Sequence, residues 1–315
     1  MKKVVFLDSV HPILNDRLSH AGFTCIDATN ASKEKCIELL NDAYGIVIRS
    51  RFRMDQELLQ FAPEIKFIAR SGAGMENIDQ SYCEQRGIKL YNSPEGNRNA
   101  VGEHALGMLL SLMNKLHTGD REIRNGIWQR EENRGIELDG KTVGIIGYGN
   151  NGSAFAKKLR GFDVKVLAYD KYKSDFGDHF VMECTLNALL NQADVISFHI
   201  PQNTETIYMA NDDFFKQLKK PIFLLNLSRG KIVETSALVK AIKNGTVKAA
   251  GLDVLEFEPS SFESFFEQDI PKDLTFLLES EKVLLTPHVG GWTEESYVKL
   301  SSVLADKILA DFENN

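Results

Sequence analysis

The sequence predicts an α/β protein built from two doubly wound parallel sheets. Strand-like apolar runs alternate with amphipathic helical stretches, and this alternation occurs twice along the chain. The composition, 43% hydrophobic and 26% charged, is that of an ordinary globular protein, and 315 residues are typical of two domains. No apolar stretch is long enough to span a bilayer, and the N-terminal apolar run at residues 4–7 is too short for a signal peptide.

The first alternating series occupies about the first hundred residues. Its predicted strands are residues 3–7, 23–26, 45–48, 66–69 and 88–91. Its predicted helices are residues 13–20, 33–41 and 56–61. Apolar residues recur three and four positions apart in the helical stretches, whereas the strands are short and rich in β-branched residues. This rhythm predicts a parallel sheet with helices on both faces.

A long helical pattern at residues 100–116 and a charged connector at 120–132 lead into the second series, which begins at Lys141. Its predicted strands are residues 142–146, 164–169, 195–199, 222–226, 249–254 and 283–286. Its predicted helices include residues 153–159 and 236–243. Residues 293–312 predict a last helix, with Thr293 as its N-cap.

Charge and cysteine usage exclude several classes of partner. The net charge of −7 disfavours nucleic acid, because such proteins normally carry a basic excess. The four cysteines form no Cys-x-x-Cys pair, which favours free thiols in a reducing compartment over a disulfide framework or zinc ligands. They are Cys25, Cys36, Cys83 and Cys184. We therefore expect a cytoplasmic protein that holds no metal and binds neither nucleic acid nor membrane.

A glycine-rich turn follows the first strand of the second series and opens a helix. It contains Gly147, Gly149 and Gly152, and the next strand ends in Asp170, about twenty residues on. The first glycine permits the tight turn, the second lets backbone amides approach a pyrophosphate, and the third allows close helix–strand packing. The helix N-terminus then stabilises the anion. Asp170 would bind the adenosine ribose hydroxyls and repel a 2′-phosphate, so the pattern predicts NAD rather than NADP.

Three charged residues follow later strands of the second series, where ligands of open α/β sheets bind. They are Arg229, Glu258 and His288. A guanidinium can hold a carboxylate and polarise the adjacent carbonyl, and an imidazole can exchange a proton with the C2 oxygen of a 2-hydroxy or 2-keto acid. A glutamate beside the imidazole fixes its tautomer. The alternative, that these are surface and turn residues, stays open on the chemistry alone.

The order of the motifs resembles the D-isomer-specific 2-hydroxyacid dehydrogenases over essentially the whole chain. The resemblance rests on GYGNNG with Asp170, on LSRG, GLDVLEFEP and TPHVGGWT, and on SGAG and VGEHALGMLL nearer the N-terminus. It implies a flavodoxin-like substrate domain of residues 1–98 and 287–315 and a Rossmann NAD-binding domain of residues 99–286. It also implies a cleft between them that closes on cofactor and substrate, and a homodimer formed in part by the long helix.

The resemblance also implies roles for individual residues. Arg229, Glu258 and His288 would be catalytic, with His288 as the acid/base. The implied cofactor-binding residues are Gly147, Gly149, Asn150, Asn151, Gly152, Asp170, Ile200, Pro201, Thr206, Leu227, Ser228, Asp253, Gly290 and Gly291. The implied substrate-binding residues are Arg49, Ser50, Ser71, Gly72, Ala73 and Gly74. Backbone amides of the last four would hold the substrate carboxylate.

The segment Arg49-Ser50-Arg51-Phe52-Arg53 carries three guanidiniums in an acidic protein. It predicts an anion site and resembles the stretch by which 3-phosphoglycerate dehydrogenases hold the substrate phosphate. A solvated basic loop that pairs with neighbouring acids is the alternative. Our hypothesis is the oxidation of 3-phosphoglycerate to 3-phosphooxypyruvate, which begins serine biosynthesis, by a short form without a regulatory domain. We accordingly expect no feedback by serine.

Two other functions stay open at this point. One is the reduction of glyoxylate, hydroxypyruvate or a larger 2-keto acid. The other is an NADH-sensing binding protein, as in the C-terminal-binding-protein corepressors, which resemble this family. The sequence also departs from the family pattern in three places: Trp292 where a small residue is usual, the pair Asn150-Asn151, and a long phenylalanine-rich stretch at 260–281 that could be a lid, an interface or a satellite core.

Overall fold

Two parallel sheets organise the chain, as the sequence predicts. The computed structural model describes residues 2–258 and 270–312. These residues divide into two compact units: unit 1 contains Met1–Arg98 and Trp292–Asn315, and unit 2 contains Asn99–Gly291. No helix within the described ranges is both long enough and apolar enough to cross a membrane.

Unit 1 contains a five-stranded parallel sheet in the order β2-β1-β3-β4-β5. Its strands are β1 (Lys3–Phe6), β2 (Thr24–Asp27), β3 (Gly45–Ile48), β4 (Phe67–Arg70) and β5 (Lys89–Asn92). Its helices include α1 (Ile13–His20), α2 (Lys33–Leu40), α3 (Gln56–Leu59), α4 (Gln80–Gln85) and the C-terminal α12 (Glu294–Phe312). The strand order reverses between β1 and β3, which makes the carboxyl ends of these two strands the expected ligand position.

The sheet of unit 1 is buried on both faces. Along β1, Val4 and Phe6 join one apolar cluster, while Val5 and the following Leu7 join the other. Successive strand residues point to opposite faces, so a continuous apolar run is what a parallel strand between two layers requires. The C-terminal helix α12 covers the Val4 face, where its Leu304 is fully buried. Its N-terminus is capped as predicted, since the Thr293 hydroxyl accepts from the Ser296 amide at 3.1 Å.

Unit 2 contains a seven-stranded parallel sheet in the order β12-β11-β10-β9-β6-β7-β8. Its strands are β6 (Thr142–Ile146), β7 (Lys165–Tyr169), β8 (Val181–Glu183), β9 (Val195–Phe198), β10 (Ile222–Asn226), β11 (Val247–Leu252) and β12 (Val283–Leu285). Its helices are α6 (Leu116–Arg124), α7 (Asn150–Lys158), α8 (Leu186–Gln192), α9 (Asp212–Gln217), α10 (Thr235–Lys243) and α11 (Lys272–Glu279). The order reverses between β6 and β9.

The long helix predicted at residues 100–116 is placed wrongly at both ends. Helix α5 spans Pro94–Met113 and crosses the boundary between the units. Helix α6 begins at Leu116, inside the predicted helix, and extends into the predicted connector. Proline is tolerated in a first helical turn, where its missing N–H has no intrahelical partner, so α5 begins earlier than the apolar pattern suggests. Lys115 has φ 53°, a left-handed conformation that ends one helix and separates it from the next.

Two further expectations concern segment boundaries. We expected the first domain to resume at Pro287, whereas unit 2 extends to Gly291, because the amides of His288, Val289 and Gly290 bond to Asp253 on the β11 side. Residues 260–269 of the phenylalanine-rich stretch lie outside the described residues. Its last part forms α11, whose Phe276 packs against the apolar core of unit 2.

Candidate functional site

The glycine-rich turn lies at the carboxyl end of β6, beside the loop that follows β9. Gly147 has φ +93°, and a β-carbon there would lie 2.5 Å from the His199 carbonyl oxygen and 2.7 Å from Ile200 Cγ2. At Gly152 a β-carbon would lie 2.0 Å from the Gly147 carbonyl oxygen. At Gly149, by contrast, it would meet no atom within 4 Å. Gly147 and Gly152 therefore permit close packing, while Gly149 leaves space above the turn.

Helix α7 begins at Asn150, directly after this turn and three residues earlier than predicted. Its first-turn amides thus lie where an anion of a dinucleotide would bind. The Asn151 Oδ1 atom is buried and has no hydrogen-bond partner among residues 2–258 and 270–312, so it is a candidate acceptor for a ligand. The first-turn amides fit a pyrophosphate, whereas the Asn151 oxygen fits a ligand hydroxyl or N–H group.

Asp170 follows β7 and faces the glycine-rich turn. Its carboxylate accepts from the Tyr148 amide at 2.8 Å and from the Tyr172 and Lys173 amides at 2.9 and 3.1 Å. The neighbouring Lys171 is paired with Glu205 at 2.8 Å, and this hydrogen bond raises the pKa of Lys171. Lys171 is thus already paired with a carboxylate. The Asp170 carboxylate beside the turn fits the ribose of NAD better than a 2′-phosphate.

The loop after β9 supplies the other residues predicted to contact the dinucleotide. Thr206 donates from its hydroxyl to the Pro201 carbonyl at 2.7 Å and accepts from the Asn203 amide at 2.9 Å. Ile200 lies against Gly147, as described above. The loop is therefore a closed turn that holds Ile200 and Pro201 next to the glycine-rich turn.

Glu258 and His288 are brought together at the carboxyl ends of β11 and β12. His288 Nδ1 lies 2.9 Å from Glu258 Oε2, and the other carboxylate oxygen accepts from the Leu255 amide at 2.6 Å. Both side chains are largely buried, with 26% and 18% exposed. A carboxylate fixed in this way orients the imidazole and fixes its tautomer. The arrangement is that of an oriented acid/base.

The backbone of His288 is also fixed, by a left-handed conformation and two hydrogen bonds from its amide. It has φ 54°, which costs about 1–3 kcal/mol in a non-glycine residue. Its amide donates to the carbonyl oxygens of Asp253 at 2.8 Å and Thr286 at 3.0 Å. Strained conformations of this kind persist only where the surrounding structure fixes them, and they concentrate at functional sites.

Asp253 organises the loop that carries His288. Its carboxylate is buried, and it accepts from the Thr286 hydroxyl at 2.6 Å, the Val289 amide at 2.9 Å and the Gly290 amide at 2.8 Å. A β-carbon at Gly290 would lie 2.8 Å from Asp253 Oδ2. These hydrogen bonds make Asp253 the anchor of the 286–290 loop. Its contact with the nicotinamide, which the resemblance implies, stays a prediction.

Arg229 lies in the loop after β10, which packs against the loop that leads to Glu258. A β-carbon at Gly230 would lie 1.8 Å from the Leu255 carbonyl oxygen. The fully buried Asn226 accepts from the Ser228 hydroxyl at 2.8 Å and donates to the Arg229 carbonyl at 2.9 Å, so it shapes this loop. A β-carbon at Gly290 would lie 3.3 Å from Leu227 Cδ2, so Leu227 lies close to the 286–290 loop. Gly291 ends the unit.

In unit 1, the three arginines after β3 have different environments. Asp8, after β1, accepts from the amides of Arg49, Ser50 and Arg51 at 2.7, 3.0 and 3.1 Å. The Arg51 guanidinium donates to four backbone carbonyls, those of Leu7, Ala28, Thr29 and Ala31. Arg53 is exposed and lies 3.4 Å from an Asp55 oxygen. The backbone amides of Arg49 and Ser50 are thus occupied by Asp8, and of the three guanidiniums that of Arg49 is the candidate anion ligand.

The Ser71–Gly74 segment follows β4, the neighbour of β3. The Ser71 amide donates to the Ile48 carbonyl at 2.8 Å, so the expectation that all four amides hold a carboxylate is wrong for Ser71. The amides of Gly72, Ala73 and Gly74 remain as candidate donors. The Asn92 side chain holds the Ala73 carbonyl at 2.7 Å, and Gly72 lies over Arg70, where a β-carbon would be 2.2 Å from a guanidinium nitrogen.

Sequence reasoning missed the residues that support these loops. Asp8, Asn226, Thr286 and His104 each act through backbone or side-chain hydrogen bonds to a predicted site residue or its anchor. His104 Nε2, on α5, lies 3.0 Å from the Thr286 hydroxyl. The signal that could have identified Asp8 and Asn226 is their position at the end of an apolar strand, the same signal that identified Arg229.

The comparisons with known proteins agree with this geometry. A model of the D-isomer specific 2-hydroxyacid dehydrogenase NAD binding domain matches residues 106–290. A D-3-phosphoglycerate dehydrogenase of Archaeoglobus fulgidus is 35% identical over 309 residues, 98% of this chain and 56% of the relative. A glyoxylate reductase of Pyrococcus furiosus is 34% identical over 287 residues, 88% of this chain and 82% of the relative. The chain thus spans just over half the length of the phosphoglycerate dehydrogenase.

Solved structures share the whole fold. A D-lactate dehydrogenase from Aquifex aeolicus, complexed with NAD and lactic acid, has a TM-score of 0.83 and 27% identity, covering 99% of this chain and 96% of that one. A D-lactate dehydrogenase from Treponema pallidum has a TM-score of 0.84 and 26% identity, covering 100% and 98%. With a family model that matches more than half of its residues, the chain belongs to the D-isomer specific 2-hydroxyacid dehydrogenase family, and residues 106–290 form its NAD binding domain.

Proposed function

We propose that the protein is an NAD-dependent oxidoreductase that transfers a hydride between the nicotinamide and C2 of a D-2-hydroxy acid. The observation that carries this proposal is the 2.9 Å pair between His288 Nδ1 and Glu258 Oε2. It lies at the carboxyl ends of strands in the same unit as the glycine-rich turn, and membership of the family supports it.

The cofactor would be held by the glycine-rich turn, by the first turn of α7 and by Asp170. When bound, NAD accepts the hydride from the alcohol carbon or returns it to the ketone. Gly149 leaves open space over the turn, and Asn151 offers a buried acceptor that no described residue pairs with. Both features support a ligand at this position.

Each catalytic residue would have one role. Arg229 would bind the substrate carboxylate through two N–H groups and polarise the C2 oxygen. His288 would donate the proton to that oxygen in reduction, or accept it in oxidation, from Nε2, because Nδ1 faces Glu258. Glu258 would hold the imidazole in this orientation. In unit 1, the amides of Gly72–Gly74 are the proposed substrate-binding groups.

The substrate we propose is 3-phosphoglycerate, oxidised to 3-phosphooxypyruvate at the start of serine biosynthesis. Arg49 supports it, because this guanidinium lies at the carboxyl end of β3 without a carboxylate partner among the described residues. The name of the Archaeoglobus relative also supports it. The Pyrococcus relative favours a second candidate, the reduction of glyoxylate or hydroxypyruvate.

A substrate panel tests these proposals. The purified protein is assayed with 3-phosphooxypyruvate, hydroxypyruvate, glyoxylate and pyruvate, each with NADH and with NADPH. We expect turnover with NADH and the highest kcat/KM for 3-phosphooxypyruvate. Arg49→Ala should lower kcat/KM for that substrate by about tenfold to a hundredfold and leave hydroxypyruvate unaffected, since a charge-assisted hydrogen bond contributes about 1.5–3 kcal/mol.

Arg53→Ala is the matched control, because it removes a nearby exposed arginine. Equal kcat/KM for hydroxypyruvate and its phosphorylated form would favour the reductase candidate. A protein that binds NADH yet turns over none of the keto acids would instead be an NADH-sensing binding protein.

We also propose that the protein is a homodimer in the cytoplasm. Large apolar side chains are exposed in one stretch of unit 2, at Leu116, Ile123, Ile127, Trp128 and Ile136. Monomers rarely expose this many large apolar groups together, so a second copy is the occupant we propose. The four cysteines are free thiols, which suits a reducing compartment.

A further inference from the structure

Trp292 contacts the arginine that the proposed function assigns to the substrate. The Arg49 guanidinium carbon lies 4.3 Å from the centroid of the Trp292 ring, and both residues belong to unit 1. We propose that Trp292 is a specificity-determining residue: its indole stacks on Arg49 and holds the guanidinium ready for the distal anionic group of the substrate. This proposal rests on the proposed function and deepens it.

The other arginines of this region have protein partners. Arg51 binds backbone carbonyls, and Arg53 lies near Asp55. Arg70 donates from Nε to the Arg49 carbonyl at 3.3 Å and so supports the loop. Within residues 2–258 and 270–312, the contact of the Arg49 guanidinium is the indole, and no carboxylate pairs with it. The guanidinium charge therefore lies over an aromatic ring, and no carboxylate of the described residues neutralises it.

The Trp292 indole packs against Tyr297 of α12, which in turn packs against His11 in the loop after β1. Trp292 meets the Tyr297 ring at 5.6 Å between centroids and 61° between planes, and Tyr297 meets the His11 ring at 5.4 Å and 80°. The His11 amide donates to Ser301 Oγ on α12 at 3.1 Å. These edge-on contacts fix the plane of the indole, although 47% of the residue is exposed.

Stacking leaves the hydrogen-bonding edge of the guanidinium available. The N–H groups of arginine lie in the guanidinium plane, so an indole that covers one face blocks none of them. A phosphate or carboxylate can then accept two parallel hydrogen bonds at the edge. A side chain already held in one conformation also loses less entropy on binding. Stacking therefore favours substrates with a second anionic group and does little for those without one.

The position of the pair agrees with this role. Arg49 follows β3 and is tied through its amide to Asp8, which follows β1. These are the two strands between which the order of the sheet reverses, and ligands of open α/β sheets bind there. Trp292 is the first residue of the C-terminal part of unit 1, and its ring contacts Arg49 at this end of the sheet.

Kinetics of Trp292→Ala and Trp292→Phe test the inference. For Trp292→Ala we expect KM for 3-phosphooxypyruvate to rise roughly tenfold, while kcat and KM for hydroxypyruvate stay within about twofold. Trp292→Phe should recover part of the loss, because a phenyl ring also stacks on a guanidinium. Equal changes for both substrates, or no change for either, would overturn the proposal.

Fluorescence separates this inference from the proposed substrate. The sequence has two tryptophans, so in Trp128→Phe the emission comes from Trp292 alone. Titration with 3-phosphoglycerate should change that emission in a saturable manner, and Trp128→Phe with Arg49→Ala should abolish the change. D-Glycerate, which lacks the phosphate, is the control ligand.

The possible results are distinct. A saturable change that depends on Arg49, in a protein without 3-phosphooxypyruvate turnover, would support the stacked anion site and reject the proposed substrate. An absent change, or one that persists without Arg49, would reject the role of Trp292 whatever the turnover.

Discussion

Glu258 is the residue whose contribution can be measured most directly. It holds His288 through one carboxylate oxygen and is fixed by the Leu255 amide through the other. Glu258→Gln keeps the size of the side chain and removes its charge. We expect kcat to fall by about 10-fold to 150-fold, since a hydrogen bond to a charged group contributes about 1.5–3 kcal/mol. The Kd for NADH, measured by fluorescence titration, should stay within about twofold; a parallel loss of cofactor binding would contradict this role.

His199 gives a prediction for stability against pH. It directly follows β9, where burial of its ring lowers its pKa from 6.5 to about 3. Between these two values the unfolded chain binds a proton that the folded chain does not. The free energy of unfolding therefore falls as the pH drops below about 6.5, with a slope from this group of up to about 1.4 kcal/mol per pH unit.

Urea unfolding of wild type and His199→Gln between pH 4 and pH 6.5 measures this slope. Glutamine can keep the contact with the Ser197 hydroxyl, which lies 2.8 Å from His199 Nε2, and it does not titrate. The difference in stability between the two proteins should shrink as the pH falls. A constant difference would show that His199 is not kept neutral by burial.

At the scale of elements, the 286–290 loop is the part on which the candidate site depends. The buried carboxylate of Asp253 holds this loop, and Gly290 approaches it too closely for a side chain. We expect Gly290→Ala to lower kcat at least tenfold, because the added methyl group displaces the loop that presents His288. Overpacking of this kind costs about 1–3 kcal/mol.

Gly107→Ala on α5 is the matched control. A β-carbon there meets no atom within 4 Å, so this variant should keep its activity and gain up to about 1 kcal/mol in helix stability. Steady-state kinetics and thermal unfolding of both variants provide the measurement. Full activity of Gly290→Ala would mean that the loop adapts and that Asp253 does not fix it.

For the whole molecule, the prediction concerns association. Trp128 is 82% exposed, and it lies in the same stretch of unit 2 as Ile123 and Ile127. If this surface is the interface of the proposed homodimer, Trp128→Ser should shift the protein toward monomers in sedimentation velocity. Trp128→Phe should remain dimeric, because it keeps an aromatic anchor. Unchanged sedimentation of Trp128→Ser would place the interface elsewhere.

The sequence by itself determined the two-sheet class and the position of many elements. The strands at 45–48, 142–146 and 222–226 are predicted to the residue, because fully buried parallel strands are continuous apolar runs. The glycine-rich turn could also be predicted from the sequence, because its constraint is local. Gly147 and Gly152 are only five positions apart, and a β-carbon at Gly152 would lie 2.0 Å from the Gly147 carbonyl oxygen. Strand β8 was missed, because two of its three residues are exposed and an edge strand carries little apolar signal.

Only the tertiary structure decided which charged groups are committed to the protein and which face a ligand. Arg51 and Arg49 are the same residue type two positions apart, yet one binds four carbonyls and the other stacks on an indole more than two hundred residues away. Asp253 likewise gained its role from amides supplied by a distant loop. Periodicity and turn chemistry are local and can be read from neighbours in sequence. Hydrogen-bond partners are set by long-range packing, which brings together residues that no local pattern relates.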